Sequence, residues 1–143
     1  MAANKKILVG ILMGSASDAE IMAETEKVLK ENKVLYEINV LSAHRQPDKV
    51  REYAKSAEKR GLKVLICGAG MSAALGGVVS AYTNLPVIGV PIETKALKGL
   101  DSLLSTVQMP GGVPVAGMAI GKAGAKNAAI FAIRILKLLC RQR

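Results

Sequence analysis

The chain has 143 residues, half of them hydrophobic, and 20 Lys and Arg against 11 Asp and Glu give a formal net charge of +9. Aromatic residues are only 3%, with no Trp and one Phe, so there is little to stack nucleic-acid bases on, and basic residues without a block of five or more point to a solvated basic surface or an anionic small ligand. Every long apolar segment is broken by Lys, Arg, Pro or Gly and the first six residues do not read as a secretory leader, so the expectation is a cytoplasmic protein with no membrane partner and no nucleic-acid partner.

Ile7 to Met13 is a continuous apolar run, the pattern of a strand buried on both faces of a parallel sheet. Gly14-Ser15-Ala16-Ser17-Asp18 reads as a turn, with Ser17 or Asp18 as N-cap of a helix over Ala19 to Asn32 that carries Ile21, Thr25, Val28 and Leu29 on one side. Val34 to Leu41 alternates with period two, as a strand nearer a sheet edge does. Pro47 suits the first turn of a helix whose Val50, Tyr53, Ala54 and Ala57 share a face and which stops at Gly61. Val64 to Cys67 predicts a third strand, Gly68-Ala69-Gly70 a turn, and Ser72 to Tyr82 a third helix. Cys67 lies in this apolar run as a small core residue, far from Cys140; with a single histidine in the chain, no metal site is expected.

Pro86 to Pro91 predicts a fourth strand with proline marking each end. Leu100 to Thr106 is a short helix, Gln108 to Val113 a loop, and Pro114 to Ile120 a fifth strand. Ala123 to Leu139 is a long closing helix, apolar on most sides, and a helix apolar all round must be covered all round. That predicts a partner subunit. The strand–helix alternation recurs about every 25 to 30 residues, as in βα units of a parallel sheet. The fold class expected is α/β, a three-layer α/β/α sandwich on a parallel, flavodoxin-like sheet, built as one domain over residues 1–143.

Ligands of an open parallel sheet bind at the carboxyl ends of its strands, which directs attention to the loops after strands one, two, three and five. Gly14 to Asp18 offers backbone N–H groups and two hydroxyls to a phosphate, and Asp18 a carboxylate to a ribose. It is neither a Walker A loop nor GxGxxG. Ser42-Ala43-His44-Arg45 holds the only histidine in the chain. Arg45 can take a phosphate through its fork of donors, and His44 can act as general acid and base near neutrality. Gly68 to Gly77 lets a ligand ring approach the backbone. Each loop also has a plain structural reading: a capping turn, a surface histidine bonding a carbonyl, and tight helix–sheet packing.

Taken together, Gly14-Ser15-x-Ser17-Asp18, Ser42-Ala43-His44-Arg45-x-Pro47, Gly68-Ala69-Gly70, Pro86 to Pro91, Gly99 to Leu103 with Gln108-Met109-Pro110, and Ala119-Ile120-Gly121 with Asn127-Ala128-Ala129 resemble the 5-(carboxyamino)imidazole ribonucleotide mutase family of purine biosynthesis. The resemblance implies an isomerase that moves a carboxyl group on aminoimidazole ribonucleotide from the exocyclic nitrogen to ring carbon C4, with carbon dioxide released and recaptured. It implies a homo-octamer, no cofactor, His44 as the catalytic proton shuttle, and Ser15, Ser17, Asp18, Ser42, Arg45, Gly70, Met71, Ser72 and Leu75 at the substrate. Mutases usually carry a histidine where this chain has Ala74 and a proline at Gly76. Related carboxylases that use free carbon dioxide also lack that histidine, but usually have Lys at Arg45. Direct carboxylation is therefore the alternative activity, and a non-catalytic nucleotide-phosphate binding protein the alternative from another class.

Overall fold

The computed structural model describes residues 6–141; the ends of the expected domain, residues 1–5 and 142–143, lie outside them. Five strands form one parallel sheet in the order β2-β1-β3-β4-β5: β1 Val9–Met13, β2 Tyr36–Val40, β3 Val64–Gly70, β4 Val87–Ile92 and β5 Ala116–Gly117. The helices between them are α1 Ala19–Glu31, α2 Pro47–Ala57, α3 Leu75–Ala81, α4 Leu100–Val107 and α5 Lys122–Arg141. This is the flavodoxin-like strand order, with a switch point between β1 and β3.

The layering follows from the two faces of the strands. Val9, Ile11 and Met13 of β1, with Val64 and Ile66 of β3, meet Met22, Val28 and Leu29 of α1 and the alanine face of α5. Leu12, Leu65 and Cys67 point the other way, onto Val50, Ala54 and Ala57 of α2 and Leu75 and Val79 of α3. Strands covered on both sides need no polar alternation, which is why β1, β3 and β4 read as unbroken apolar runs. β2 lies at the sheet edge, as expected, but Ile38 and Val40 of its alternating apolar set are exposed while Glu37 and Asn39 are half-buried. A buried hydrogen bond from Thr25 Oγ1 to the Ala125 carbonyl at 2.7 Å ties α1 to α5.

Several expectations are corrected. β3 runs on to Gly70 instead of turning at Gly68, because its neighbours continue: Gly68 pairs with Met13 and Gly70 with Ile92. The glycine there serves packing, since a Cβ on Gly68 would meet Met22 Sδ at 2.5 Å. Pro91 sits inside β4 and not at its end. β5 is two residues long, where seven were expected. α3 begins at Leu75 and not Ser72, after a left-handed backbone at Met71 (φ 55°). On α1 the buried stripe contains Met22, and Ile21 is only half-buried. α5 has one buried face, Ala125, Ala128, Ala129, Ala132, Ile133 and Leu136, while Lys126, Asn127, Arg134 and Lys137 are exposed among Phe131, Leu138 and Leu139. It is amphipathic, with scattered apolar residues outside, and not apolar all round.

Candidate active site

The carboxyl ends of β1 to β4 open into a cleft of about 480 Å³. Its lining contains every residue singled out from the sequence: Ser15, Ser17, Asp18, Ser42, His44, Arg45, Gly70, Met71, Ser72 and Leu75. Ala74 lines it as well. The three loops that carry them are far apart in sequence and adjacent in strand order.

The loop after β1 is a self-contained hydrogen-bonded unit. Ser15 caps a 3-10 turn over Ala16–Asp18. Its hydroxyl accepts from the Ser17 N–H (3.3 Å) and the Ser17 hydroxyl (2.9 Å), while Asp18 Oδ2 accepts from the Ser15 N–H (3.0 Å). This is a capping box, reciprocal between the first and fourth residues. Asp18 is the N-cap residue of α1, as expected, but its side chain makes no bond to that helix; it is turned back to Ser15, which caps the preceding turn. Asp18 is buried, at 7% exposure. Burial raises its pKa above the ordinary carboxylate value, and the Ser15 N–H opposes that in part. An ionised carboxylate has lone pairs beyond the one Ser15 uses, so it can still accept from a ligand hydroxyl.

The loop after β2 is held through its backbone. The Ser42 hydroxyl accepts from the Arg45 N–H (3.2 Å), and the Ser42 carbonyl accepts from the Gln46 N–H (2.8 Å). Pro47 then starts α2 at its first position. The His44 and Arg45 side chains are exposed, and among the described residues neither makes an ion pair. The third loop leaves β3 through the left-handed Met71, an uncommon backbone for a residue with a side chain. Ser105 of α4 holds it in place: its hydroxyl accepts from the Ala73 N–H (3.0 Å) and donates to the Asp101 carbonyl (2.6 Å). Met71 itself is 64% exposed.

One lining residue escaped the sequence reading. Thr94 follows β4, and among the described residues none beyond β5 lines the cleft, contrary to the expectation for the loop after β5. The signal was available, because the carboxyl-end rule applies to every interior strand. No group of three or more His, Cys, Asp or Glu side chains comes together among the described residues in the manner of a metal site. Cys67 is inaccessible, its thiol pushed up to about 12 by burial.

The fold and cleft define a flavodoxin-ordered α/β protein with a polar, one-imidazole site at its switch point. The family model described as AIR carboxylase matches residues 8–142, and the chain belongs to that family. It is 58% identical over 133 residues to N5-carboxyaminoimidazole ribonucleotide mutase of Pyrococcus horikoshii, covering 93% of this chain and 74% of that one. It is 60% identical over 129 residues to the mutase of Bacillus subtilis, covering 90% and 80%. Its structure is similar to the crystal structure of Treponema denticola PurE, with a TM-score of 0.82 at 33% identity, covering 92% of this chain and 80% of that one.

Proposed function

We propose that the cleft carries out the reaction named for these relatives. The activity is that of an N5-carboxyaminoimidazole ribonucleotide mutase, an isomerase of purine biosynthesis. The observation that carries the site assignment is the convergence of Ser15, Asp18, His44 and Arg45 in one cleft. Arg45 and the Ser15 and Ser17 loop take the phosphate, Asp18 a ribose hydroxyl, and Ser42 sets the loop between them. Gly70, Met71, Ser72 and Leu75 pass along the heterocycle, where a bare backbone allows close contact.

The chemistry needs one proton carrier. His44 as imidazolium delivers a proton to the exocyclic nitrogen as the N–carboxyl bond breaks, releasing carbon dioxide and aminoimidazole ribonucleotide. Ring carbon C4 then attacks the retained carbon dioxide, and neutral His44 removes the C4 proton. No net proton is consumed, so a single imidazole closes the cycle. No cofactor is called for.

Ala74 lines the cleft at the position where mutases usually have a histidine, which favours a second reading, direct carboxylation by free carbon dioxide. Supplying the N-carboxylated nucleotide, or aminoimidazole ribonucleotide plus bicarbonate, without ATP separates the two. Turnover of only the former at low bicarbonate is expected. Efficient use of the latter makes the enzyme a carboxylase, and binding without turnover of either makes it a non-catalytic nucleotide binder.

The assembly we propose is a homo-octamer in the cytoplasm, each chain a single catalytic domain. Leu100, Leu104 and Val107 support a partner on α4: all are exposed and they recur at helical spacing, with exposed Leu97 in the turn before the helix. No helix among the described residues is long and apolar enough to cross a membrane. Sedimentation as a stable monomer would refute the octamer.

A further inference from the structure

Thr94 stands two residues beyond the carboxyl end of β4 and lines the cleft. Its Oγ1 is buried and finds no hydrogen-bond partner among the described residues. Folded proteins rarely leave a buried hydroxyl unpaired, because the group has given up water for nothing. The other side-chain atom in this condition, the Tyr53 hydroxyl, lies outside the cleft, its ring beneath Arg60 with the guanidinium 4.7 Å from the ring centroid. Of the two, only Thr94 belongs to the lining of the cleft.

Position along the sheet says which part of a ligand it meets. The strand order places the Arg45 loop, after β2, at one end and Thr94, after β4, three strand spacings away, about 14 Å. The Thr94 methyl group packs towards Gly70: a Cβ there would lie 3.2 Å from Thr94 Cγ2. Gly70 belongs to the stretch assigned to the heterocycle.

We infer that the Thr94 hydroxyl is a substrate-binding group completed by the ligand, turning from its unpaired buried position to hydrogen-bond the heterocyclic end of the nucleotide and not its phosphate. This rests on the nucleotide reading of the cleft.

Thr94→Val replaces the hydroxyl by a methyl of similar shape. The expected result is a loss of about tenfold in both nucleotide affinity and kcat/KM, the loss of one hydrogen bond. Affinity for ribose 5-phosphate, which lacks the heterocycle, is unchanged in calorimetry. The ligand-free melting temperature stays level or rises by about 3 °C. Thr94→Ser keeps the hydroxyl and retains nucleotide binding. A Thr94→Val protein that binds and converts nucleotide like the wild type overturns the assignment, as does an equal loss of ribose 5-phosphate affinity. Wild-type protein that neither binds nor converts the nucleotide refutes the reading of the cleft itself and the assignment with it.

Discussion

The loops after β1 and β2 flank the same cleft and are built on opposite principles. In the first, Ser15, Ser17 and Asp18 bond one another, and the carboxylate is buried before any ligand arrives. In the second, only the backbone is fixed, through Ser42, and the His44 and Arg45 side chains stand exposed. The first loop is a preformed cradle whose geometry is part of the fold. The second presents chemistry that folding does not use. Substitutions that delete a hydrogen bond of the cradle should therefore cost stability and binding together, whereas substitutions in the second should cost function alone.

The largest effect is expected at His44. His44→Asn should lower turnover about 10³-fold, the scale of a lost general acid/base. Its melting temperature should match the wild type, and nucleotide affinity should hold within about threefold, since an exposed side chain is removed. Single-turnover assays and calorimetry read the two separately. Near wild-type turnover would remove His44 from the chemistry, and a large fall in melting temperature would break the contrast between the loops.

Ser15→Ala comes next. It deletes the acceptor of the capping box, so urea unfolding should show a loss of about 1 kcal/mol, with substrate affinity falling about tenfold as the cradle loosens. A protein of unchanged stability would mean that the hydrogen-bonded turn is not part of what folding secures.

The smallest effect is a pH dependence at Asp18. Burial lifts its pKa above 3.8, so the folded chain holds that proton more tightly than the unfolded chain. Stability is then diminished above the raised value, where the buried carboxylate is ionised, and is regained as pH falls through that value towards 3.8. Asp18→Asn keeps an oxygen for the Ser15 N–H without the charge. It should melt slightly above the wild type at neutral pH, and the difference should shrink as pH approaches about 4. A gap that is constant with pH would show that the carboxylate carries no such penalty.

Much of this architecture is legible in the residues. Apolar runs such as Ile7 to Met13 and Val64 to Cys67 announce buried parallel strands because both faces are covered. Pro47 opens α2 because its missing N–H is not needed there. The glycines misled: Gly68-Ala69-Gly70 has the composition of a turn but continues β3, since Gly68 makes room for Met22 of α1. Only the packed helix reveals that demand. α5 misled in the same way, its polar residues separating into an outer face only once wound on the sheet.

The sequence by itself determined the alternation of strands and helices, the three loops and the single imidazole, because hydrophobic period and turn chemistry are local. Tertiary structure alone decided that Ser15, His44 and Gly70 share a cleft, because parallel pairing sets the strand order and hence which loop ends are neighbours. It also decided that Thr94 joins them, with a hydroxyl that has no partner among the described residues. Whether a polar atom has a partner depends on residues distant in the chain, and no local pattern records it.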